Sequence, residues 1–219
     1  MLHGVFRTLL ECYGPQHWWP GETPFEVMVG AVLTQNTAWT NVERAIGNLK
    51  AHRALDPAVI VTTPHERLAE WLRPSGYFNV KAERLRSFCA WYRQRGGHDE
   101  LAKLATATLR DELLAVKGIG PETADDILLY AFERPVFVID AYTRRLFQRL
   151  GHVTGTEPYE SLRALFEGTL AVDGKERVAL FNEYHALIVR HAKEACRRTP
   201  VCRGCPLARR CRSGTMPDA

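Results

Sequence analysis

Leu113-Leu114-Ala115-Val116-Lys117-Gly118-Ile119-Gly120-Pro121-Glu122-Thr123-Ala124-Asp125-Asp126-Ile127 decides how the chain is to be read. Apolar residues at helical spacing run up to Val116 and resume at Ala124, and between them two glycines bracket one isoleucine. Glycine at both places permits positive φ and leaves no Cβ to hold a ligand off the backbone. Pro121 suits the first turn of the second helix, whose free N–H groups and positive dipole end favour an anion. A bare Gly-x-Gly ends many ordinary helices. The whole pattern, apolar-x-x-Gly-apolar-Gly-x-x-Thr-Ala between two helical stretches, reads as a hairpin that grips the DNA backbone irrespective of base sequence. Its candidate contacts are Lys117, Gly118, Ile119, Gly120 and Thr123.

Outward from the hairpin the chain is helical. Apolar residues recur at three- and four-residue spacing in Phe25–Leu33, Val42–Leu49, Leu68–Leu72, Ala82–Tyr92, Leu109–Val116, Ala124–Phe132, Tyr142–Leu150, Tyr159–Leu170 and Glu176–Arg190. Thr23-Pro24, Asp56-Pro57, Thr63-Pro64 and Glu157-Pro158 place proline near first turns. The one β-like stretch, Val136–Ile139, is short and has no partner of similar character, so it is expected to be a buried extended connection. The fold class expected is all-α.

Asp140 emerges from that apolar stretch, Glu133-Arg134-Pro135-Val136-Phe137-Val138-Ile139. A partly desolvated carboxylate there could stabilise positive charge on a deoxyribose as its base departs, or deprotonate an attacking water or amine. It is equally well placed to N-cap the helix beginning Ala141-Tyr142. The two roles are compatible, because a capping carboxylate is rigidly held.

Hydrophobic residues make up 46% and charged residues 25% of the 219, an ordinary globular composition. No apolar run is long enough to span a bilayer, and the first residues lack the features of a signal peptide. The expected setting is therefore reducing and cytoplasmic, in the nucleoid of a bacterial or archaeal cell, with the chain a monomer and no membrane partner. The net charge of +4 is modest, but between Arg190 and Arg212 eight Lys/Arg face one acid, Glu194. Such a tail suits phosphate, or is simply a solvated basic end. Four of six cysteines fall in Cys196-x5-Cys202-x2-Cys205-x5-Cys211. Thiolates select zinc or iron–sulfur. Zinc sites usually pair two Cys-x2-Cys units far apart, whereas one short pair with two outlying cysteines suits the separated corners of a [4Fe-4S] cubane. Cys12 and Cys89, among apolar neighbours, are expected to be buried and inert.

Hairpin, following aspartate and terminal four-cysteine loop, in that order, resemble the endonuclease III superfamily. The resemblance runs from about Phe25 to Cys211. It implies a helix-hairpin-helix DNA glycosylase fold: a six-helix barrel over residues 22–134, its hairpin at about 108–133, and a second helical lobe from 1–21 and 135–219. That lobe would hold a [4Fe-4S] cluster in the loop 196–211. Double-stranded DNA containing a damaged base would be the partner, with the damaged nucleotide flipped between the lobes. Asp140 matches the superfamily's aspartate. The first cysteine gap is five residues here and six in endonuclease III. Where bifunctional members carry the lysine that attacks the sugar, this chain has Glu122, and a carboxylate cannot form a Schiff base.

A closer similarity is to the 3-methyladenine DNA glycosylase III subfamily. It rests on Trp18-Trp19-Pro20, Phe25-Glu26, Val29-Gly30-Ala31-Val32-Leu33-Thr34-Gln35-Asn36-Thr37, Pro74-Ser75-Gly76-Tyr77 with Asn79 and Lys81-Ala82, and the hairpin with Glu122. That group is monofunctional, and some members lack the cysteine loop. Alkylated purines are cationic, and electron-rich rings bind them by stacking and cation–π attraction. Trp19 and Trp39 are the candidate faces, with Pro20 shaping the wall and Glu122 beside it; either tryptophan could instead be core. Gln35 would fill the space left by the extruded base, and Tyr77 would contact the opposite strand. His185 would line the cleft or make a structural hydrogen bond. The leading expectation is a monofunctional glycosylase for alkylated purines. The alternatives are a glycosylase for oxidised pyrimidines or mismatched thymine, with or without lyase activity, and a non-catalytic iron–sulfur DNA-binding protein.

Overall fold

The computed structural model describes residues 2–18, 21–170 and 174–212. Among these the chain is helical, with no strand. In order come α1 (Leu2–Tyr13), α2 (Pro24–Leu33), α3 (Trp39–Ala51), α4 (Pro57–Thr62), α5 (His65–Leu72), α6 (Phe78–Gln94), α7 (His98–Leu101), α8 (Thr106–Ala115), α9 (Pro121–Ala131), α10 (Ala141–Arg149), α11 (Tyr159–Thr169) and α12 (Gly174–Glu194). Single 3₁₀ turns occur at Arg73–Ser75 and Ala208–Arg210. The chain divides into two compact units, one of residues 19–134 and one of residues 1–18 with 135–219.

In the 19–134 unit, α2 is buried along almost its whole length, from Glu26 to Leu33. Thr23 Oγ1 accepts from the Glu26 amide at 3.2 Å and starts the helix. Glu26 is tolerated inside because Lys50 meets it at 2.9 Å. Asp56 caps α4 in the same manner, its Oδ1 accepting from Ala58 and Val59 at 2.8 and 3.0 Å. Pro64 and Pro158 are themselves the N-cap residues of α5 and α11, one position earlier than first-turn prolines.

In the other unit, residues 136–139 form the buried, extended segment the sequence suggests, each at most 3% exposed. They are held by packing in place of a ladder. The Phe137 ring stacks on Phe166 with centroids 4.6 Å apart and meets Phe181 edge-on at 5.3 Å. Phe147 meets Phe166 at 4.8 Å. The N-terminal helix joins this unit through Tyr184, whose hydroxyl donates to the Leu2 carbonyl at 2.8 Å. The aromatic cluster fixes Ile139, and with it the take-off of Asp140. Cys89 is buried as expected, but Cys12 is exposed, on the outward face of the amphipathic α1.

Candidate nucleic-acid interface and active site

The hairpin connects α8 to α9. The chain turns at Gly118, φ +92°, and Ile119 N donates back to Val116 O at 3.0 Å. A Cβ on Gly118 would stand 2.3 Å from Arg84 Cγ, so glycine is required there by space as well as by φ. Gly120 differs from expectation: its φ is −97°, a value open to any residue. Its distinguishing feature is that a Cβ there would meet nothing within 4 Å. Gly120 N-caps α9 with Pro121 at the first helical position, leaving first-turn amides without helical partners. Arg110 on α8 clamps the fully buried Asp125 on α9 at 2.7 and 3.2 Å, which fixes the angle between the hairpin helices.

Around this turn the candidate residues divide. Lys117 is exposed, 3.9 Å from Glu83. Glu122 is exposed on the first turn of α9. Ile119 and Thr123 are buried at 6% and 5%, so neither side chain presents an open face for DNA. Thr123 Oγ1 instead accepts from Gln35 Nε2 at 2.9 Å, and that same Nε2 donates to Gly118 O at 3.1 Å. Gln35 Oε1 accepts from Arg84 Nη1. Gln35 is thus tied to the hairpin in the same unit. Its neighbour Asn36 is exposed in the left-handed region, φ 55°. Tyr77 is 72% exposed, also left-handed at φ 46°, ahead of α6. Trp39 opens α3, half-buried, with its ring against Gly30: a Cβ on Gly30 would stand 2.9 Å from Trp39 Cη2. Trp19 and Pro20 lie outside the described residues.

In the other unit Asp140 N-caps α10, its Oδ1 accepting from Thr143 N at 2.6 Å. Its side chain keeps 13% exposure. His185 Nε2, from α12, stands 3.5 Å from Asp140 Oδ2, an ion-pair separation and longer than a good hydrogen bond. Burial pushes the Asp140 carboxyl up, but His185 and Thr143 together outweigh it and hold the group below the usual carboxylate range. The Trp18 ring lies 5.9 Å from the His185 ring, tilted by 34°. His185 thus stands between the Asp140 carboxylate and the Trp18 ring.

The loop 196–211 is fastened by α10. Arg145 Nε donates to Cys196 O at 2.9 Å. Arg149 donates to Arg197 O at 2.6 Å, to Arg198 O at 2.8 Å and to Cys196 Sγ at 3.2 Å. Cys211 Sγ lies 3.4 Å from Arg149 O, and His191 Nε2 lies 3.8 Å from Cys205 Sγ. None of the four thiols is in a disulfide. Burial raises the Cys205 thiol, and the charges of Cys196, Cys202 and Cys211 raise it further, so the four are electrostatic neighbours. Among the described residues no three His, Cys, Asp or Glu side chains converge as ligands of one metal ion. Arg197, Arg198, Arg203, Arg209 and Arg210 are exposed around the loop.

The family model for the HhH-GPD superfamily base excision DNA repair proteins matches residues 29–171, which takes in the hairpin, Asp140 and the helices that carry both. The chain belongs to that superfamily. A protein of Methanocaldococcus jannaschii, whose name of DNA repair glycosylase is itself provisional, is 45% identical over 97% of this chain and 96% of its own length. Endonuclease III of Thermotoga maritima is 28% identical over 86% of this chain and 82% of its own. Among solved structures, 3-methyladenine DNA glycosylase of Helicobacter pylori bound to 1,N6-ethenoadenine superposes with a TM-score of 0.74 at 30% identity, covering 88% of this chain and 97% of that one. A non-covalent endonuclease III–DNA complex reaches 0.81 at 22% identity over 97% and 94%, a likeness of fold.

This HhH-GPD glycosylase also carries fixings that the sequence reading missed. Arg84, Arg110, Arg145 and Arg149 are all surface-type residues by composition, yet each gives its guanidinium to a protein partner. A periodic sequence cannot show this, because an arginine on a helix face looks the same whether it meets water or a carbonyl. No helix among the described residues is long and apolar enough to cross a membrane.

Proposed function

We propose that the chain is a monofunctional DNA glycosylase that releases alkylated, cationic purines by Asp140-assisted hydrolysis. The observation that carries this reading is Asp140 itself: a carboxylate capped by the Thr143 amide, flanked by His185 and held ionised. A cationic purine leaves with the electron pair of its glycosidic bond and becomes neutral in doing so. It therefore needs no proton from the enzyme, and a lone ionised carboxylate suffices. Asp140 stabilises the oxocarbenium-like sugar, then orients the water that adds to C1′ and accepts its proton. His185, tethering the second carboxylate oxygen, keeps Asp140 pointed and charged.

The lack of a lysine at the position the resemblance gives to the lyase nucleophile supports the monofunctional form. Glu122 stands where the resemblance would put the lysine, Lys117 lies on the other side of the hairpin, and Lys81 is sealed at 1% exposure. The substrate class follows the similarity to the Helicobacter pylori enzyme and the aromatic groups: Trp18 against His185, Trp39 on α3, and Trp19 with Pro20 between them in sequence. DNA is held by the Gly118–Gly120 backbone and Lys117, with Gln35 and Tyr77 acting at the base pair.

The thiols of Cys196, Cys202, Cys205 and Cys211 would hold a [4Fe-4S] cluster. Their donor chemistry fits it: four thiols in one loop, one short Cys-x2-Cys pair with two outlying cysteines, and Arg149 donating to one sulfur. When bound, the cluster would brace a loop whose arginines face phosphate.

Duplexes carrying 3-methyladenine, an oxidised pyrimidine or a T·G mismatch, assayed for base release before and after alkali, test the reading. Release of the methylated purine, with strand breaks only after alkali and loss in Asp140→Asn, is expected. Breaks without alkali would overturn the monofunctional form, and full activity in Asp140→Asn would overturn its mechanism.

A further inference from the structure

Lys81 lies on α6 and takes no part in the chemistry above. Its side chain is 1% exposed. Its ammonium donates to Leu33 O at 2.8 Å and to Ser75 O at 2.6 Å. Leu33 is the last residue of α2, and Ser75 is the last residue of the 3₁₀ turn. The chain leaves the first directly into Thr34-Gln35-Asn36 and the second directly into Gly76-Tyr77. One ammonium therefore closes the ends of two elements whose outgoing loops carry the two residues read as acting at the base pair.

The chemistry suits that task. The last carbonyls of a helix lack partners and carry the negative end of its dipole, so a cation with three donors and no acceptor is a natural cross-link between two such ends. Desolvation, with Arg84 beside it, pushes the Lys81 pKa down to about 8, so its charge is held there against a penalty. Both loops also contain non-glycine residues in left-handed backbone, Asn36 at φ 55° and Tyr77 at φ 46°. Such conformations persist only where the surroundings over-determine them. Arg84, three residues along the same helix, holds Gln35 and packs against Gly118, so one stretch of α6 touches the roots of all three loops.

We propose that Lys81 is a positioning residue that latches the Gln35 loop and the Tyr77 loop into one rigid DNA-facing element. The consequence for DNA rests on the reading of Gln35 and Tyr77 given above, while the latch is a property of the free protein. Hydrogen–deuterium exchange on the DNA-free protein separates the two. In Lys81→Met, exchange in residues 34–37 and 75–78 is expected to rise together by about tenfold or more, with the α9 core at 127–131 unchanged. A rise at one loop only, or a uniform rise across α2, α6 and α9, would overturn the latch. Should Lys81→Met not melt cooperatively, Lys81→Gln, which keeps amide donors on a shorter stem, is measured by the same criterion. Duplex binding by Gln35→Ala and Tyr77→Ala in the wild-type background tests the other half. If exchange rises at both loops while neither alanine variant weakens binding, the latch stands and the DNA role of the loops fails. If the alanine variants weaken binding but exchange does not move, the DNA role stands and the latch fails.

Discussion

The two hairpin glycines make opposite demands, and replacing each by alanine separates folding from DNA binding. At Gly118 an alanine must adopt φ +92°, which costs about 1–2 kcal/mol. Its Cβ would also stand 2.3 Å from Arg84 Cγ, 2.9 Å from Cδ and 3.1 Å from Cβ. These are the near atoms of the arginine, so rotating the guanidinium does not clear the space. Either the hairpin or α6 shifts, and the Arg84–Gln35 hydrogen bond, charge-assisted and worth about 1.5–3 kcal/mol, goes with it. The sum predicts a loss of about 2.5–5 kcal/mol for Gly118→Ala. At Gly120 the φ of −97° suits alanine and the Cβ meets open space. Gly120→Ala should be neutral or gain up to about 1 kcal/mol by restricting the unfolded chain. Its methyl group would nevertheless sit at the mouth of α9, where on the proposed reading a phosphate would approach the amides. Binding to undamaged duplex should weaken, and the slope of log affinity against log salt should fall by about one phosphate contact. Urea denaturation and a salt series of duplex binding measure both. A Gly118→Ala cost under about 1 kcal/mol would refute the packing argument. Wild-type affinity and salt slope in Gly120→Ala would refute the phosphate cradle.

His185→Phe keeps the ring against Trp18 but removes the group that offsets burial at Asp140, so the Asp140 pKa should rise; the acid limb of single-turnover base release is expected to move to higher pH, and an unmoved limb would show that Thr143 alone suffices. Iron and acid-labile sulfide should each approach about four per chain in the native protein and fall together in Cys202→Ser. Zinc in stoichiometric amount, with neither of these, would remove the cluster assignment. For Lys81, the folded pKa of about 8 lies below the ordinary 10.5, so between those values the unfolded chain binds more proton than the folded one. The stability added by this titration is complete above 10.5 and absent below about 8, where both states carry the proton; relative to Lys81→Met, the wild type should gain in urea midpoint as pH rises through that window, and parallel curves would contradict it.

What the sequence made legible was whatever repeats or punctuates. The helices from Phe25 onward follow from apolar spacing, and Thr23-Pro24 and Asp56-Pro57 marked two helix starts, where each side-chain oxygen proves to be the cap. Val136–Ile139 could be read as buried and unpaired because nothing else in the chain resembled a strand. Asp140 could be read as a cap because it stands directly before the helical stretch that begins Ala141-Tyr142. Beyond that, periodicity is silent. The short α4 and α7 offer too few residues for a pattern, and α1, with Leu2, Val5 and Leu9 buried, went unread from spacing. Gly118 and Gly120 look alike in sequence but differ in φ by the sign that matters, because only Gly118 faces Arg84. The site depends on long-range contacts such as His185 to Asp140 and Arg149 to Cys196, joined across 45 and 47 residues, and no local rule predicts which arginine or histidine will be drawn inward.

The most consequential of those contacts is the one made by Gln35. A residue expected to enter the base stack is, in the DNA-free protein, bound at both ends of its amide: Nε2 to Gly118 O and Thr123 Oγ1, Oε1 to Arg84. On the proposed reading, insertion then cannot be a simple extension into solvent. Gln35 must give up three partners, two of them on the hairpin that grips phosphate. Each bond contributes on the order of 1 kcal/mol net, and more for the one to arginine, so the cost is one that correct DNA contacts can offset but a passing encounter cannot. Phosphate arriving at the hairpin draws on the same residues, since a shift of Gly118 against Arg84 disturbs two of the three bonds at once. On that reading, backbone grip and base probing would be coupled through one side chain. Gln35→Leu, which fills similar space without the bonds, should therefore loosen the hairpin in the free protein, seen as faster exchange at 117–120, as well as impair base release. A variant that lost base release with hairpin exchange unchanged would show that the two functions are independent, and that Gln35 acts only where it meets the bases.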